Sequence, residues 1–303
     1  MIRVRFLGTA AARPTVRRNV SGIAVQREGE SFLWDCGEGT QRQIMRYGTG
    51  FSFAHIFITH AHADHLLGLP GLLRTMGLQG REEGMTVYGR AGTEATLHAA
   101  VRLGSQRMAF PVDVKGLAPG RRVDFGGWAV QAFRAEHGVP ALGYALVEEA
   151  RLGRFDVEAA RRLGVPEGPL FGRLHRGEAI EVEGRVISPE EVVGRPRPGR
   201  KVVYSGDTRP TREAVQMAMG ADLLIHEATF GAGEGKRARE TRHSTAAEAA
   251  GVAARAGVRE LMLTHVSARY AENPARLEEQ ARAVFPASRV ARDGLELEIG
   301  HRD

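Results

Sequence analysis

The amino-acid sequence predicts a layered fold of mixed strands and helices, of the α/β or α+β kind, around one substantial core. Short runs rich in β-branched and aromatic residues alternate with helical periodicity along most of the chain. At 303 residues, 43% of them hydrophobic and 26% charged, the chain has the composition of a globular protein with ample apolar surface to bury. Its single cysteine, Cys36, excludes an intramolecular disulfide framework and fits a reducing, cytoplasmic compartment.

The strands expected in order are Ile2–Leu7, Ile23–Gln26, Ser31–Asp35, His55–Thr59, Met85–Tyr88, Trp128–Arg134, Leu142–Val147, Lys201–Ser205, Asp222–His226, Glu260–Thr264 and Val290–Ile299. The helices expected between them are Gly39–Tyr47, Leu66–Leu78, Thr93–Leu103, Val157–Leu163, Arg212–Met219, Thr245–Ala256 and Pro274–Phe285. The first strand alternates charged and apolar residues, unlike the apolar run of a signal peptide. No stretch approaches ~18 uninterrupted apolar residues, so no membrane-spanning helix is expected. Thr245 and Glu248 have capping-box spacing, and Asn273-Pro274 reads as an N-cap followed by proline at the first helical position. Between about Arg151 and Arg200 the rhythm breaks. Gly164, Pro166, Gly168, Pro169, Gly172, Pro189, Pro196 and Pro198 crowd this segment, and no long core strand is evident. It reads as a flexible arm inserted into a single domain spanning 1–303, and long excursions of this kind are often functional.

The formal charge is +6, and the cations are nearly all arginine, with Lys115, Lys201 and Lys236 the only lysines. That balance is compatible with a polyanionic partner such as nucleic acid without establishing one. Far more informative is the segment Thr59-His60-Ala61-His62-Ala63-Asp64-His65, directly after the apolar run that ends at Ile58. Three histidines and an aspartate in such a short span are poor core material, and they are the donors that divalent transition metals prefer. In extended backbone His60 and His62 point the same way and can share one ion. Asp64 and His65, on the turn into the next helix, can face a second.

This segment resembles the HxHxDH signature of the metallo-β-lactamase superfamily. The resemblance implies an α+β fold, a four-layer αββα sandwich with a protruding exosite arm. His137 in Arg134-Ala135-Glu136-His137-Gly138, Asp207 in Ser205-Gly206-Asp207-Thr208, and His265 after Leu263-Thr264 match the remaining ligand motifs in order. By resemblance, His60, His62 and His137 hold one zinc, Asp64, His65 and His265 hold the other, and Asp207 lies between them. Two zinc ions per chain are expected, with manganese or iron as alternatives.

Within that superfamily the chain is similar to the ribonuclease Z family over nearly its whole length. Asp35-Cys36-Gly37-Glu38-Gly39-Thr40-Gln41 resembles the family's first motif. Ser205-Gly206-Asp207-Thr208-Arg209, His226-Glu227-Ala228-Thr229-Phe230 and His243-Ser244-Thr245 follow, and the last two are more specific than the metal motif. Val165-Pro166-Glu167-Gly168-Pro169 resembles the Gly-Pro tip of the family's tRNA-gripping exosite. Gly164, Pro166, Gly168 and Pro169 are therefore expected to contact substrate, in the very segment that composition singles out. Pro14-Thr15-Val16-Arg17-Arg18-Asn19 resembles the family's PxKxR loop, with Val16 where lysine is usual, and Arg17 or Arg18 is expected to supply the charge.

The resemblance implies a zinc-dependent endoribonuclease that removes the 3′ trailer from precursor tRNA, leaving a tRNA 3′-hydroxyl and a 5′-phosphate on the trailer. The implied nucleophile is a metal-bridging hydroxide. Asp64 is the implied proton acceptor. His243, just before the helix at Thr245, is assigned to proton donation and phosphate contact, with Glu227 holding its imidazole. Asp35 is expected to buttress the metal loop and Cys36 to be a small buried residue. A homodimer is implied as well. The metal motif alone equally fits a small-molecule phosphodiesterase or another hydrolase of the superfamily; the arm and the two late motifs favour RNA.

Overall fold

Alternation along Ile2–Gly8 puts Ile2, Val4 and Phe6 on one buried face, and the strand pairs antiparallel with Gly22–Arg27 on one side and Glu296–Ile299 on the other. Extended by Glu30–Trp34, His55–Phe57, Met85–Arg90 and Val112–Leu117, it forms a mixed seven-stranded sheet. A second seven-stranded sheet runs Ser288–Val290, Glu260–Thr264, Leu223–Glu227, Lys201–Tyr204, Ala141–Glu148, Trp128–Ala135, Arg122–Asp124. The computed structural model describes residues 1–104 and 107–302.

The inner faces of the two sheets share a core dominated by rings. Phe32 stacks on Trp128 with centroids 5.7 Å apart, and Trp34 stacks on Tyr204 at 5.8 Å. Outside the first sheet, helices Thr40–Arg46, Gly68–Leu78 and Glu94–Arg102 bury Ile44, Leu69, Leu72, Leu73 and Leu97 against Leu33, Ile56 and Val87. Outside the second, Arg212–Ala218, Ala246–Ala256 and Ala275–Arg282 bury a set of alanines and leucines against Val203, Leu224 and Leu261. Helix, sheet, sheet, helix is the four-layer αββα order that the resemblance implies. Thr245 and Glu248 do form a capping box.

Elements that differ from expectation do so for local reasons. The strand from His55 ends at Phe57, because the Thr59 carbonyl leaves the first sheet and accepts from Leu142 N of the second at 2.9 Å. The helix expected over Leu66–Leu78 is two, Ala63–Leu66 and Gly68–Leu78, broken at Leu67. Gly68 N donates to Cys36 O at 2.8 Å, and a Cβ on Gly68 would lie 2.1 Å from Gly37 O. Val290–Ile299 is not one strand: Ser288–Val290 belongs to the second sheet, Glu296–Ile299 to the first, and Gly294, at φ 81°, turns the chain between them. Pro274 itself occupies the cap position, with no side-chain cap from Asn273. Val112–Leu117, Arg122–Asp124, Pro169–His175 and Gly235–Glu240 are regular elements that no strong periodicity announces. Among the described residues no helix is long and apolar enough to cross a membrane.

Residues 148–200, with 302, form a separate compact unit. Helices Val157–Arg162 and Pro169–His175 and the hairpin Ile180–Val182/Arg185–Ile187 surround a small cluster of Ala160, Val165, Leu174, Ile180, Ile187 and Val192. Asp156 caps the first helix through Ala159 N at 2.8 Å. At the base, buried Glu148 accepts from Arg200 N at 3.0 Å, Nε at 2.8 Å and Nη2 at 2.6 Å.

Candidate metal centre

The chemistry-bearing residues sit where strands end. His60 and His62 follow His55–Phe57, His137 follows Trp128–Ala135, Asp207 follows Lys201–Tyr204, Glu227 closes Leu223–Glu227, and His265 follows Glu260–Thr264. Two turns here use left-handed backbone at non-glycine residues, Asp35 at φ 57° and His265 at φ 54°, conformations that persist only where the surroundings fix them. Gly206, at φ 58°, passes so close to Leu142 O and Thr59 that a Cβ would meet them at 2.9 and 3.0 Å.

All seven expected ligands converge. His62 Nδ1 lies 2.9 Å from His60 Nε2 and 3.3 Å from His137 Nε2. Asp64 Oδ2 lies 3.4 Å from His65 Nε2 and 3.3 Å from His265 Nε2. Between the two trios stands Asp207 Oδ2, at 3.8 Å from His60, 3.5 Å from His65, 4.0 Å from His137 and 3.3 Å from His265. A tetrahedral ion with ~2.0–2.1 Å legs spaces its ligand atoms ~3.3 Å apart, which is the spacing within these groups. Among the described residues, buried His65 Nε2 and Asp207 Oδ1 have no hydrogen-bond partner, an arrangement costly without a further ligand. The outer ring nitrogens are occupied: His60 Nδ1 by Thr59 Oγ1 at 3.1 Å, His65 Nδ1 by Asp35 Oδ2 at 2.8 Å, His137 Nδ1 by Arg242 O at 3.1 Å, and His265 Nδ1 by Thr229 Oγ1 at 2.9 Å. Imidazoles held this way present bare Nε2 lone pairs inward. The donor set fits metal binding.

The rings differ electrostatically: burial lowers the His65 pKa, but the charges of Asp207 and Asp35 raise it more, well above its usual range. Burial holds the His60 and His62 imidazoles below their usual range, so they are neutral. Burial opposes ionisation of Asp64 and Asp207, but the imidazoles of His265 and His65 beside each carboxylate outweigh it. Both remain carboxylates far below the ordinary range.

Beside this cluster lies a second pair. His243 Nδ1 is 2.8 Å from Glu227 Oε1 and 3.9 Å from Asp207 Oδ2. Burial lowers the His243 pKa, but the charge and hydrogen bond of Glu227 raise it more, to about 9. Glu227 is wholly buried and also accepts from Thr208 N, Thr229 N, Thr229 Oγ1 and Ser244 N. Cys36 is buried, and burial pushes its thiol up to about 12.

The expected substrate contacts divide. Arg17 is exposed, 3.9 Å from Glu272, and Val16 is fully exposed. Arg18 is turned inward, buried, with Nη1 donating to Thr9 Oγ1 at 2.7 Å and Ala291 O at 2.6 Å. Its guanidinium braces the loop and does not lie on the free surface. Gly164, Pro166, Gly168 and Pro169 are exposed in the other unit, with Pro169 at the first helical position. Sequence reasoning gave no role to Thr59, Thr229, Tyr204 or Arg209, and none beyond a helix cap to Glu248. Tyr204 Oη donates to Asp35 Oδ2 at 2.8 Å, and Arg209 joins the His243 carbonyl to Glu248. These residues lie in or beside the recognisable motifs, but their partners are set by tertiary structure alone.

Two facing sheets flanked by helices, with histidine–carboxylate trios at the strand ends, define the metallo-β-lactamase class. A family model described as "Beta-lactamase superfamily domain" matches residues 30–154 and 190–266. Ribonuclease Z of Gemmatimonas aurantiaca is 54% identical over 98% of this chain and 95% of its own, and that of Myxococcus xanthus 52% identical over 100% and 99%. The crystal structure of human tRNase Z, short form, matches with a TM-score of 0.71 at 29% identity, covering 98% of this chain and 99% of that one. The chain belongs to the ribonuclease Z family and is an endoribonuclease of the metallo-β-lactamase type.

Proposed function

We propose that the chain is a two-zinc endoribonuclease that removes the 3′ trailer of precursor tRNA. The observation that carries this is Asp207 Oδ2 standing within 3.3–4.0 Å of His60, His65, His137 and His265, with the His243–Glu227 pair beside it. In this reading His60, His62 and His137 would hold one ion and Asp64, His65 and His265 the other, with Asp207 between the two sets. An imidazole-rich set suits zinc, with manganese and iron as alternatives. When bound, the pair supplies Lewis acidity that makes water nucleophilic near neutral pH and offsets charge growing on the phosphate. Asp64, fixed by Ala12 N at 3.0 Å, is the carboxylate placed to orient the attacking water and take its proton. His243 is protonated at neutral pH; with Nδ1 on Glu227, it gives its Nε2 proton to the departing ribose 3′-oxygen. That direction of cleavage leaves a 3′-hydroxyl on the tRNA and a 5′-phosphate on the trailer.

Arg17 and the exposed Gly164, Pro166, Gly168 and Pro169 contact the tRNA in this reading, supported by their exposure and by the motifs they lie in. A cytoplasmic homodimer belongs to the same reading, supported by family membership and a lone buried thiol. The test is incubation of the zinc-loaded protein with 3′-extended precursor tRNA and end-group analysis of both products. The two ends named above are expected, with Asp64→Ala and His62→Ala lowering kcat by orders of magnitude. A 3′-phosphate on the tRNA body, or parental cleavage by Asp64→Ala, overturns the assignment.

A further inference from the structure

We infer that Thr59 and Thr229 are matched positioning residues, each fixing the ring nitrogen that one ligand histidine turns toward its own ion. The inference rests on the two-ion reading above. Each threonine stands between a buried carboxylate and a ligand imidazole. Thr229 Oγ1 lies 2.7 Å from Glu227 Oε2 and 2.9 Å from His265 Nδ1. Thr59 Oγ1 lies 3.0 Å from both oxygens of Asp35 and 3.1 Å from His60 Nδ1.

A threonine hydroxyl has one proton to give, and an ionised carboxylate only accepts. The hydroxyl proton therefore goes to the carboxylate, and the hydroxyl oxygen accepts from the imidazole Nδ1–H. This sets the tautomer of both rings. Nε2 carries the lone pair, and Nε2 is the atom facing Asp207 Oδ2, at 3.8 Å in His60 and 3.3 Å in His265. The opposite tautomer would aim an N–H into the cluster. Both threonines are buried, and each carboxylate is held by further donors: Ser244 N and Thr208 N on Glu227, Thr59 N and Tyr204 Oη on Asp35. In the two-ion reading the relays serve different ions, His60 grouping with His62 and His137 and His265 with Asp64 and His65.

The test is zinc titration of the apo full-length chain against a competing chelator, for the parent, Thr59→Val, Thr229→Val, the double variant and Thr229→Ser. The parent is expected to bind two ions tightly. Each valine variant should keep one tight ion and bind the other about 10–100-fold more weakly. The double variant should weaken both, and Thr229→Ser, which keeps the hydroxyl, should match the parent. Valine variants that bind both ions like the parent, a double variant that keeps one tight ion, or a serine variant as weak as valine overturns the inference. A parent that binds no zinc overturns the two-ion reading, and the inference with it.

Discussion

Single side chains in this site work in pairs, because a partner decides which nitrogen of an imidazole carries the proton. His243 illustrates this. Alone and partly buried it would be neutral; beside Glu227 it is a cation at neutral pH with one free N–H. If it protonates the leaving oxygen, His243→Ala should lower kcat on precursor tRNA by about 10²–10⁴-fold, the range for a positioned general acid. The same variant should hydrolyse a p-nitrophenyl phosphodiester nearly as well as the parent, because that leaving group departs without a proton, and its zinc content should be unchanged. Equal losses on both substrates would place His243 in phosphate binding instead. That these residues would cluster was legible in the sequence because their motifs, in order, resemble those of a known family; singly, His137 or His265 would have carried no such signal. The threonine relays were not: a hydroxyl gives no signal until its neighbours are known.

Elements place these side chains by where they stop. Strand positions were readable wherever one face is apolar, as in Ile2–Gly8 or Leu223–Glu227. Edge strand Val112–Leu117 escaped because its alternation, Val112 and Val114 inward and Asp113 and Lys115 outward, lasts only four residues before exposed Gly116 breaks it. The helix break at Leu67 escaped because its cause is the remote loop at Cys36 and Gly37. That break matters to function, since it leaves Asp64 and His65 on a short helix of their own, with His65 O accepting from Cys36 N at 2.8 Å. Gly68→Ala should therefore do more than overpack. Its Cβ would meet a backbone carbonyl at 2.1 Å, so a loss of at least ~1–3 kcal/mol is expected. Denaturant melting should show that loss, and zinc titration should show weaker binding even in the folded fraction. A variant of parental stability would mean that the loop at Gly37 yields freely.

At the scale of the whole molecule, chemistry and the inserted unit are separable. Each candidate trio draws on both sheets, with His60, His62, Asp64 and His65 in the loop and short helix after strand His55–Phe57 of the first and His137 and His265 just past strand ends of the second, so the site is a property of the assembled sandwich. None of the three apolar clusters that build the sandwich contains a residue of 148–200, which has a cluster of its own. None of the candidate metal groups among the described residues includes a residue of the insertion, and a role in holding tRNA is what the proposed function gives it. Its charge argues against a simple cationic clamp: ten arginines stand against eight acidic residues over 151–200, and Arg161, Arg173 and Arg185 are paired with Glu158, Glu178 and Glu191. If the proposed role holds, recognition there would lean on the exposed Gly-Pro backbone, by shape more than by charge. Replacing 164–172 with a short Gly-Ser linker should raise KM for precursor tRNA about tenfold or more, a loss of ~1.4 kcal/mol per decade. Hydrolysis of the p-nitrophenyl phosphodiester should stay at the parental rate. If both activities fall together, the insertion supports the sandwich after all; if neither falls, the tRNA is gripped elsewhere, with Arg17 the next residue to change.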